Sequence, residues 1–299
     1  MSRTLGGPLA SHVASNVHTR CHMLRLALND GGIIAVTDHD RALTFDTGDG
    51  NDVYSPRTGF AASDLSLSVG FDPDDVEVTG PLVETATEAW HVTKTMVLGG
   101  RLDDAIAHFF QVNWKSLGSG AIKLLKGQVV LADIAGDTFK LTINSETSKF
   151  SQEVGRLITP YCENDYGEGF CDRTRVEIEG TVTAVTSDRQ FTVSFTGAYA
   201  DNFFNKGTVV FTSGALSGGR PVEISDWSAA GEIVLWTELA AAPEIGDTLD
   251  IRQGCYVLAT GASKTRDACM ALGGDAVPFR GFPDVPGTDQ VLRYPNPGG

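Results

Sequence analysis

The sequence predicts a mostly β protein with an N-terminal β-meander or barrel domain and a C-terminal small antiparallel barrel or sandwich. Glycine is abundant, with 34 among 299 residues, and it occurs beside many Thr, Val and Asp residues. This mixture favours short strands joined by tight turns over long helices. Apolar residues also alternate with polar ones in many short segments, as they do along strands. Because the chain exceeds one typical domain, we expect domains at residues 1–155 and 156–299.

The N-terminal half begins with a pattern typical of one short helix and a hairpin. Apolar residues three to four positions apart predict an amphipathic helix over residues 8–17. Residues 20–28 alternate like a strand, and the Asn-Asp-Gly-Gly turn at residues 29–32 predicts a hairpin. We expect residues 33–45 to form the partner strand.

Alternation continues through the rest of this half, with one ambiguous segment. Residues 101–114 match a helical stripe in their first part and a strand in their second part, and we interpret the second part as a strand. Further strands are predicted at Val53-Tyr54, at Leu65, Leu67 and Val69, at Val76 and Val78, and as a hairpin of residues 122–131 with 138–143.

The strand pattern is clearest over residues 173–254. Six short alternating segments occur there, and turn residues lie between them. Such spacing predicts a small antiparallel barrel or sandwich. The alternating pairs are Val176 with Ile178, Phe191 with Val193 and Phe195, Val209 with Phe211, Val222 with Ile224, Ile233 with Leu235, and Leu249 with Ile251.

Four of the five cysteines form two pairs that flank this predicted barrel, namely Cys162 with Cys171 and Cys255 with Cys269. Tetrathiolate sites suit zinc or an iron–sulfur cluster, and four ordinary buried thiols are the alternative. Closing the intervening loop costs about 4 kcal/mol, whereas a structural metal contributes on the order of 10 kcal/mol or more. We therefore expect a four-cysteine metal site to bring the pairs together. Cys21 is expected to be a packed thiol in the first strand.

Charge and missing motifs exclude several function classes. A net charge of −15 argues against a generic nucleic-acid binder, which needs a basic face. The longest apolar runs are far too short to span a membrane, and the N-terminus lacks the apolar core of a signal peptide, so we expect folding in a cytoplasm. Paired cysteines there indicate metal or catalysis more often than disulfides. The acidic residues Asp46, Asp49 and Asp52 are interpreted as a solvated hairpin. Signatures such as HExxH and GxSxG are absent, so no enzyme is predicted.

Several short motifs occur in a fixed order along nearly the whole chain. They are Thr37-Asp-His-Asp-Arg-Ala-Leu-Thr-Phe45, Thr58-Gly-Phe60, Asp75-Val-Glu-Val78, Val112-Asn-Trp114, Cys162 to Cys171-Asp172, Gly254-Cys255, Lys264-Thr-Arg-Asp-Ala-Cys269, and Phe279-Arg-Gly-Phe-Pro283 with Pro286-Gly287. In their order and spacing the chain resembles the tail-hub, or baseplate-hub, family of siphophages and of the gene transfer agents of alphaproteobacteria. The C-terminal region is also similar to the iron–sulfur tail-tip protein L of lambda-like phages.

The resemblance implies a structural protein that acts by assembly. Such hubs look like homotrimeric rings that join the sixfold tail tube and the distal tail protein to threefold tip proteins. The implied partners include a large tip or fibre-bearing baseplate protein, a hub-associated peptidase and the tape-measure protein, with DNA only in transit through the channel. The protein would be assembled in the bacterial host cytoplasm and reside in a virion or gene transfer agent particle, without stable membrane insertion.

The resemblance also implies a cofactor and a contact surface. By analogy Cys162, Cys171, Cys255 and Cys269 are the ligands of one [4Fe–4S] cluster, with zinc as the runner-up and two disulfides third. The cluster would fix the tail peptide within residues 270–299, in which Phe279, Arg280, Phe282 and Pro283 are expected to contact a tip partner. We expect Phe279 and Phe282 to be substantially buried, against the cysteine loops or a partner. Phe282→Ala would cost roughly 3 kcal/mol if the ring is part of a core.

Two other function classes remain as alternatives to the hub. The predicted barrel is of a type that can bind cell-surface carbohydrate, although no aromatic platform is apparent in the sequence. A cell-wall peptidase is the less favoured alternative. It would need a nucleophilic cysteine with a histidine nearby, and the C-terminal half contains no histidine.

Overall fold

The structure is a computed structural model that describes residues 7–14, 19–48, 50–56, 61–62, 75–84, 91–151, 155–171, 173–273 and 279–285. The chain divides into two compact units. Unit 1 comprises Met1–Glu153 and Gly218–Arg220, and unit 2 comprises Val154–Ser217 and Pro221–Gly299. The strand expected at Leu65 to Val69 and the Thr58-Gly-Phe60 and Pro286-Gly287 motifs lie outside the described residues.

Unit 1 is built on one sheet, which has nine strands among the described residues, in the order β3-β4-β2-β1-β7-β8-β9-β6-β5. Its elements are α1 (Gly7–Val13), β1 (Arg20–Ala27), β2 (Ile33–Thr37), β3 (Leu43–Asp46), β4 (Asn51–Pro56), β5 (Ala61–Ala62), β6 (Asp75–Pro81), α2 (Lys94–Leu98), β7 (Ile106–Asn113), β8 (Ala121–Ala135) and β9 (Thr138–Ser145), with 3-10 helices at Leu117–Ser119 and Glu146–Ser151.

The sheet is only partly a meander, which corrects the expectation for the N-terminal half. Strands β7, β8 and β9 follow one another as predicted, but β7 pairs with β1 along eight residues, and β4 pairs with β2 in parallel. The segment expected as one strand over residues 33–45 is two strands. It breaks after Thr37 because side chains there satisfy the backbone locally, with Thr37 Oγ1 accepting from the His39 N–H.

The ambiguous segment at residues 101–114 is a turn followed by a strand, and the strand interpretation of its second part is confirmed. Strand β7 forms here because it pairs with β1 and both faces of the β1–β7 pair are buried. Leu24 and Phe109 lie in the larger core cluster, whereas Met23 and Phe110 lie in a smaller cluster.

A buried ion pair connects β1 to β4. Arg25 is 7% exposed, and its Nε donates to Asp52 Oδ2 at 2.6 Å. The interpretation of Asp52 as part of a solvated hairpin is therefore wrong, because this carboxylate neutralises a guanidinium inside the unit. Sequence periodicity gives no sign of such a pair, because the partners are far apart along the chain.

We expect Asp52→Ala to lower the free energy of unfolding by about 3 kcal/mol, because it leaves Arg25 buried without its counter-charge. Urea unfolding measures the change. Asp40→Ala is the matched control, since the Asp40 side chain is 81% exposed and its loss should change stability by at most about 0.5 kcal/mol. Equal stabilities of the two variants would contradict a structural role for the buried pair.

Unit 2 contains the predicted barrel, which is closed, with strand order β10-β11-β14-β13-β12-β15. All six strands are confirmed where the alternation predicts them. Their inward side chains include Phe191, Ile224, Trp227 and Ile251, each at most 1% exposed. The elements are β10 (Glu177–Val185), β11 (Gln190–Phe195), β12 (Thr208–Phe211), β13 (Val222–Trp227), β14 (Glu232–Leu235), β15 (Thr248–Arg252) and a helix, α3 (Arg266–Ala271).

None of the helices within the described ranges has the length and apolar character needed to span a membrane.

Candidate functional site

The barrel itself brings the two cysteine pairs together. Cys162 and Cys171 precede β10, Cys255 follows β15, and Cys269 lies in α3. Strands β10 and β15 are antiparallel neighbours, with Glu177 opposite Arg252, so the chain enters and leaves the barrel at the same end. Strand hydrogen bonds therefore supply the closure between the pairs, and a metal that also joins them stays a prediction.

All four cysteines line one small cavity of about 20 Å³, and all four are free thiols. The remaining lining residues include Asn164, Tyr166 and Arg173. The four sulfur-bearing side chains that the sequence singled out thus share one compact location.

Gly254 allows Cys255 to lie close to the barrel. A Cβ at this position would lie 1.9 Å from the carbonyl oxygen of Lys206, so any side chain would collide with backbone. The chain after β15 can therefore press directly against the segment before β12, and Cys255 follows at the next position.

Lys264 links the two cysteine pairs through its backbone. Its N–H donates to Cys255 Sγ at 3.4 Å, and its carbonyl accepts from the Cys162 N–H at 2.8 Å. The residue has φ +54°, a left-handed conformation that costs a non-glycine residue energy. Thr265 then caps α3 by accepting from the Ala268 N–H, and this helix carries Cys269. The strained backbone of Lys264 thus lies where the chain segments that carry the four cysteines meet.

Burial raises the pKa of the Cys255 thiol, and the charges of the other three cysteines raise it further, while the Lys264 N–H lowers it. Burial and the mutual repulsion of neighbouring thiolates therefore disfavour an ionised Cys255 unless a cation compensates the charge. A bound metal supplies that charge and displaces the thiol protons as it binds. Burial also raises the pKa of Tyr166, whose ring lines the same cavity, and the charge of Cys171 adds to this shift.

The expected convergence on a ready metal site is not seen. Among the residues that the structure describes, no group of three or more His, Cys, Asp or Glu side chains is arranged to hold a metal ion. A single zinc needs sulfurs within about 2.3 Å of one point. The cysteines share a cavity, but they are not assembled around one ion.

The peptide at residues 279–285 covers one side of the cysteine loops. The Arg280 N–H donates to Cys162 Sγ at 3.4 Å, and the Phe282 N–H donates to the Thr159 carbonyl at 2.7 Å. Gly281 permits this approach, because a Cβ there would lie 2.8 Å from the Pro160 carbonyl oxygen. The peptide is therefore held by backbone contacts.

The two phenylalanines of this peptide are less buried than expected. Phe279 is half-buried and Phe282 is 37% exposed in this chain, so the burial of Phe282 against a partner stays a prediction. The Phe282 ring lies under the Arg156 guanidinium at 5.0 Å and keeps one face toward solvent. Truncation of a core ring lowers the free energy of unfolding by roughly 3 kcal/mol. For the partly exposed Phe282 ring we expect Phe282→Ala to lower it by about 1 kcal/mol.

Cys21, the fifth cysteine, is confirmed as a packed thiol that is 4% exposed in β1. Burial raises its pKa from 9.0 to about 11. Because the folded value lies above the unfolded one, its stabilising contribution is complete below pH 9 and is lost as the pH rises toward about 11.

We therefore expect unfolding free energies of the native chain to fall more steeply than those of Cys21→Ala between pH 9 and about 11. The difference should approach roughly 3 kcal/mol at the upper end. Guanidinium titrations at several pH values measure it. Parallel pH profiles for the two proteins would contradict the shifted thiol.

Sequence reasoning missed the residues that organise the cavity around the cysteines. Arg173 and Asn164 line it, and Lys264 bridges the pairs. A threonine at position 265 is a sequence signal for the start of a helix. A positive φ at a lysine, by contrast, has no signal in the sequence.

Comparison with known proteins identifies the class to which this fold belongs. Residues 7–174 match the family described as baseplate hub protein, N-terminal attachment domain, and residues 202–289 match the family described as phage conserved hypothetical protein BR0599. The first match covers more than half of the chain, so the chain belongs to the baseplate hub family. The sequence-based resemblance to tail-hub proteins is thereby confirmed.

A solved structure is similar over nearly the whole length. A chain from a structure titled "Virion of native gene transfer agent (GTA) particle" superposes with a TM-score of 0.76 at 25% identity, over 98% of this chain and 97% of that chain. No curated protein sequence is significantly similar to this one.

Proposed function

We propose that this chain is the structural hub of a phage-type tail tip, in a virion or a gene transfer agent particle, where it acts by assembly without turnover. The match of residues 7–174 to the hub attachment domain carries this proposal. The similarity to a chain of a gene transfer agent virion over 98% of the length supports the same role for both units. The carbohydrate-binding and peptidase alternatives receive no support from these matches.

The finer proposal is a homotrimeric ring. It joins the sixfold tail tube and the distal tail protein to threefold tip proteins, with a large fibre-bearing protein, a hub-associated peptidase and the tape-measure protein as further neighbours. The net charge of −15 suits a ring around a DNA channel, because acidic walls repel phosphates and let duplex DNA slide.

Deletion and complementation of the gene test the hub role. We expect particles without the chain to have tails that lack a tip and to deliver no DNA. The full chain should restore delivery, whereas residues 1–155 alone should not. Normal tips and delivery in the deletion strain would contradict the proposal.

The proposed contact with the tip partner is an apolar surface on the cysteine loops and the covering peptide. We call it the tip surface, and its members are Leu157, Ile158, Tyr161, Phe170, Phe282 and Val285, which are between 37% and 80% exposed. Arg280 stacks over Phe170 with its guanidinium 3.8 Å from the ring centre. Exposed apolar groups concentrated on two adjoining loops are typical of protein interfaces. The expected partner contacts at Phe279, Arg280, Phe282 and Pro283 belong to or adjoin this surface.

We expect Leu157→Asp combined with Phe282→Ala to prevent tip assembly while lowering the unfolding free energy by only about 1 kcal/mol. Leu157 is 80% exposed, so the charge is tolerated in the free chain but not in a dry interface. Electron micrographs of tail tips and urea unfolding separate the two effects. Ile245→Asp is the matched control, since Ile245 is 73% exposed on a barrel loop. Equal tip assembly in the double variant and the control would contradict this contact surface.

We further propose that Cys162, Cys171, Cys255 and Cys269 hold one [4Fe–4S] cluster, with zinc as the alternative. Three observations support a thiolate-ligated centre: the shared cavity, the free thiols, and the backbone N–H groups of Lys264 and Arg280 directed at two sulfurs. When bound, the group is a structural cross-link between the loops.

A further inference from the structure

Buried hydrogen-bond donors without acceptors are concentrated at the cysteine cavity. In the described part of the chain, three buried side-chain nitrogens without a hydrogen-bond partner lie together, namely Asn164 Nδ2, Arg173 Nε and Arg173 Nη2. Both side chains line the cavity formed by the four cysteines. An unsatisfied buried donor costs about 1–3 kcal/mol, and a charged one costs more. Folded proteins rarely tolerate three such donors in one place without an acceptor.

Arg173 is held by a hydrogen bond to the backbone just after the second cysteine pair. Its Nη1 donates to the Gly273 carbonyl at 2.7 Å, just after the helix that carries Cys269. One arm of the guanidinium is therefore anchored to protein, and Nε and Nη2 are left for another acceptor. Because arginine stays charged at any pH that the protein meets, the group also places a positive charge at the cavity.

Neither water nor the free thiols supply the negative charge that this arrangement calls for. Water in the cavity can accept hydrogen bonds, but it does not neutralise the charge of the guanidinium. Neutral thiols are weak acceptors. A metal centre with four thiolate ligands carries a net double negative charge, whether it is a divalent zinc or an oxidised [4Fe–4S] core, and it presents several sulfur acceptors.

We propose that Arg173 and Asn164 donate hydrogen bonds to sulfur atoms of the thiolate-ligated centre and that Arg173 neutralises part of its charge. They are positioning residues, since they act on the ligands and not on the metal. The inference rests on the metal centre proposed above. The proposal explains why three unpaired buried donors lie together at this cavity, whereas no other place among the described residues has as many.

Two measurable consequences follow. Removing the charge should destabilise the thiolates, and partners of this kind change metal affinity by about 10–100-fold. Hydrogen bonds and positive charge also favour the reduced form of a cluster, because reduction adds an electron to an anionic centre. Without Arg173 the reduction potential should therefore become more negative.

The test uses the full-length chain, reconstituted anaerobically with iron and sulfide and, separately, loaded with zinc. We expect Arg173→Gln to lose metal to a chelator about 10–100-fold faster and to show a more negative cluster potential. Arg173→Lys keeps the charge and should have a potential close to the native one. Asn164→Leu removes an uncharged donor of similar size and should shift the same readouts in the same direction, but less.

Arg175→Gln is the matched control. Arg175 pairs with Glu168 and Glu177 and is not among the residues that line the cavity, so this variant should behave like the native protein in both readouts. Hydrogen exchange of the barrel strands checks that each variant is folded. If the native chain holds metal but Arg173→Gln and Asn164→Leu match it in both readouts, the donor role is overturned. If the native chain binds neither iron nor zinc, the metal centre and this inference fall together, while the hub role is judged separately from particle assembly.

Discussion

Cys269→Ser is expected to abolish stable metal binding and to loosen the chain from Cys255 to the covering peptide, while the barrel stays folded. Cys269 lies in a six-residue helix in which Ala268 is the one buried residue. A structural metal contributes on the order of 10 kcal/mol to the elements that it joins. Loss of one ligand therefore removes most of the order in this region, whereas the β10–β15 hydrogen bonds do not depend on it.

Iron, sulfide and zinc content together with limited proteolysis measure this effect. We expect the variant to be metal-poor and to be cleaved between residues 255 and 285, with the barrel left as a resistant fragment. Cys21→Ala is the matched control, because it also removes one thiol but belongs to a core cluster of unit 1 that includes none of the cavity residues. Unchanged metal content in Cys269→Ser would contradict the ligand assignment.

Trp227→Ala is expected to lower the stability of the barrel by about 3–5 kcal/mol, the range for removing a large aromatic side chain from a core. Trp227 is 1% exposed and packs against Phe204 and Phe195, with ring centres 4.8 and 5.0 Å away. Truncation leaves a cavity in the middle of a closed barrel whose strands cannot collapse around it.

Hydrogen exchange of the amides in β10 to β15 reports this loss without interference from unit 1. Trp236→Ala is the control, because Trp236 is 50% exposed and its loss should cost less than about 1 kcal/mol. Similar exchange rates in the two variants would show that the aromatic cluster does not hold the barrel together.

The strands of the barrel could be predicted because each buried residue follows its neighbour at the strand period, as Phe191 and Val193 do in β11. Periodicity identifies strands but not their partners. The order β10-β11-β14-β13-β12-β15 depends on which edges remain free once earlier hairpins form, and no local pattern contains that information. For the same reason the antiparallel pairing of β10 with β15, which brings the two cysteine pairs together, could not be predicted.

At the candidate site, residue types could be predicted better than their geometry. The two cysteine pairs stand out by composition, and the structure places all four at one cavity. Arg173 and Asn164 look like ordinary loop residues in the sequence. Whether their donor atoms are buried depends on the folded structure. The exposure of Phe282 could not be predicted either, because an aromatic residue in a short peptide packs equally well on its own chain or on a partner.

Electron cryo-microscopy of the intact tail tip tests the hub assignment most directly. The account predicts that density for this fold, with its nine-stranded sheet and closed six-stranded barrel, forms a threefold ring between the tail tube and the tip proteins. It also predicts that the tip surface, defined by Leu157 and Phe282 among others, faces the protein below. A sixfold ring of this chain, or a tip in which the chain is absent, would contradict it.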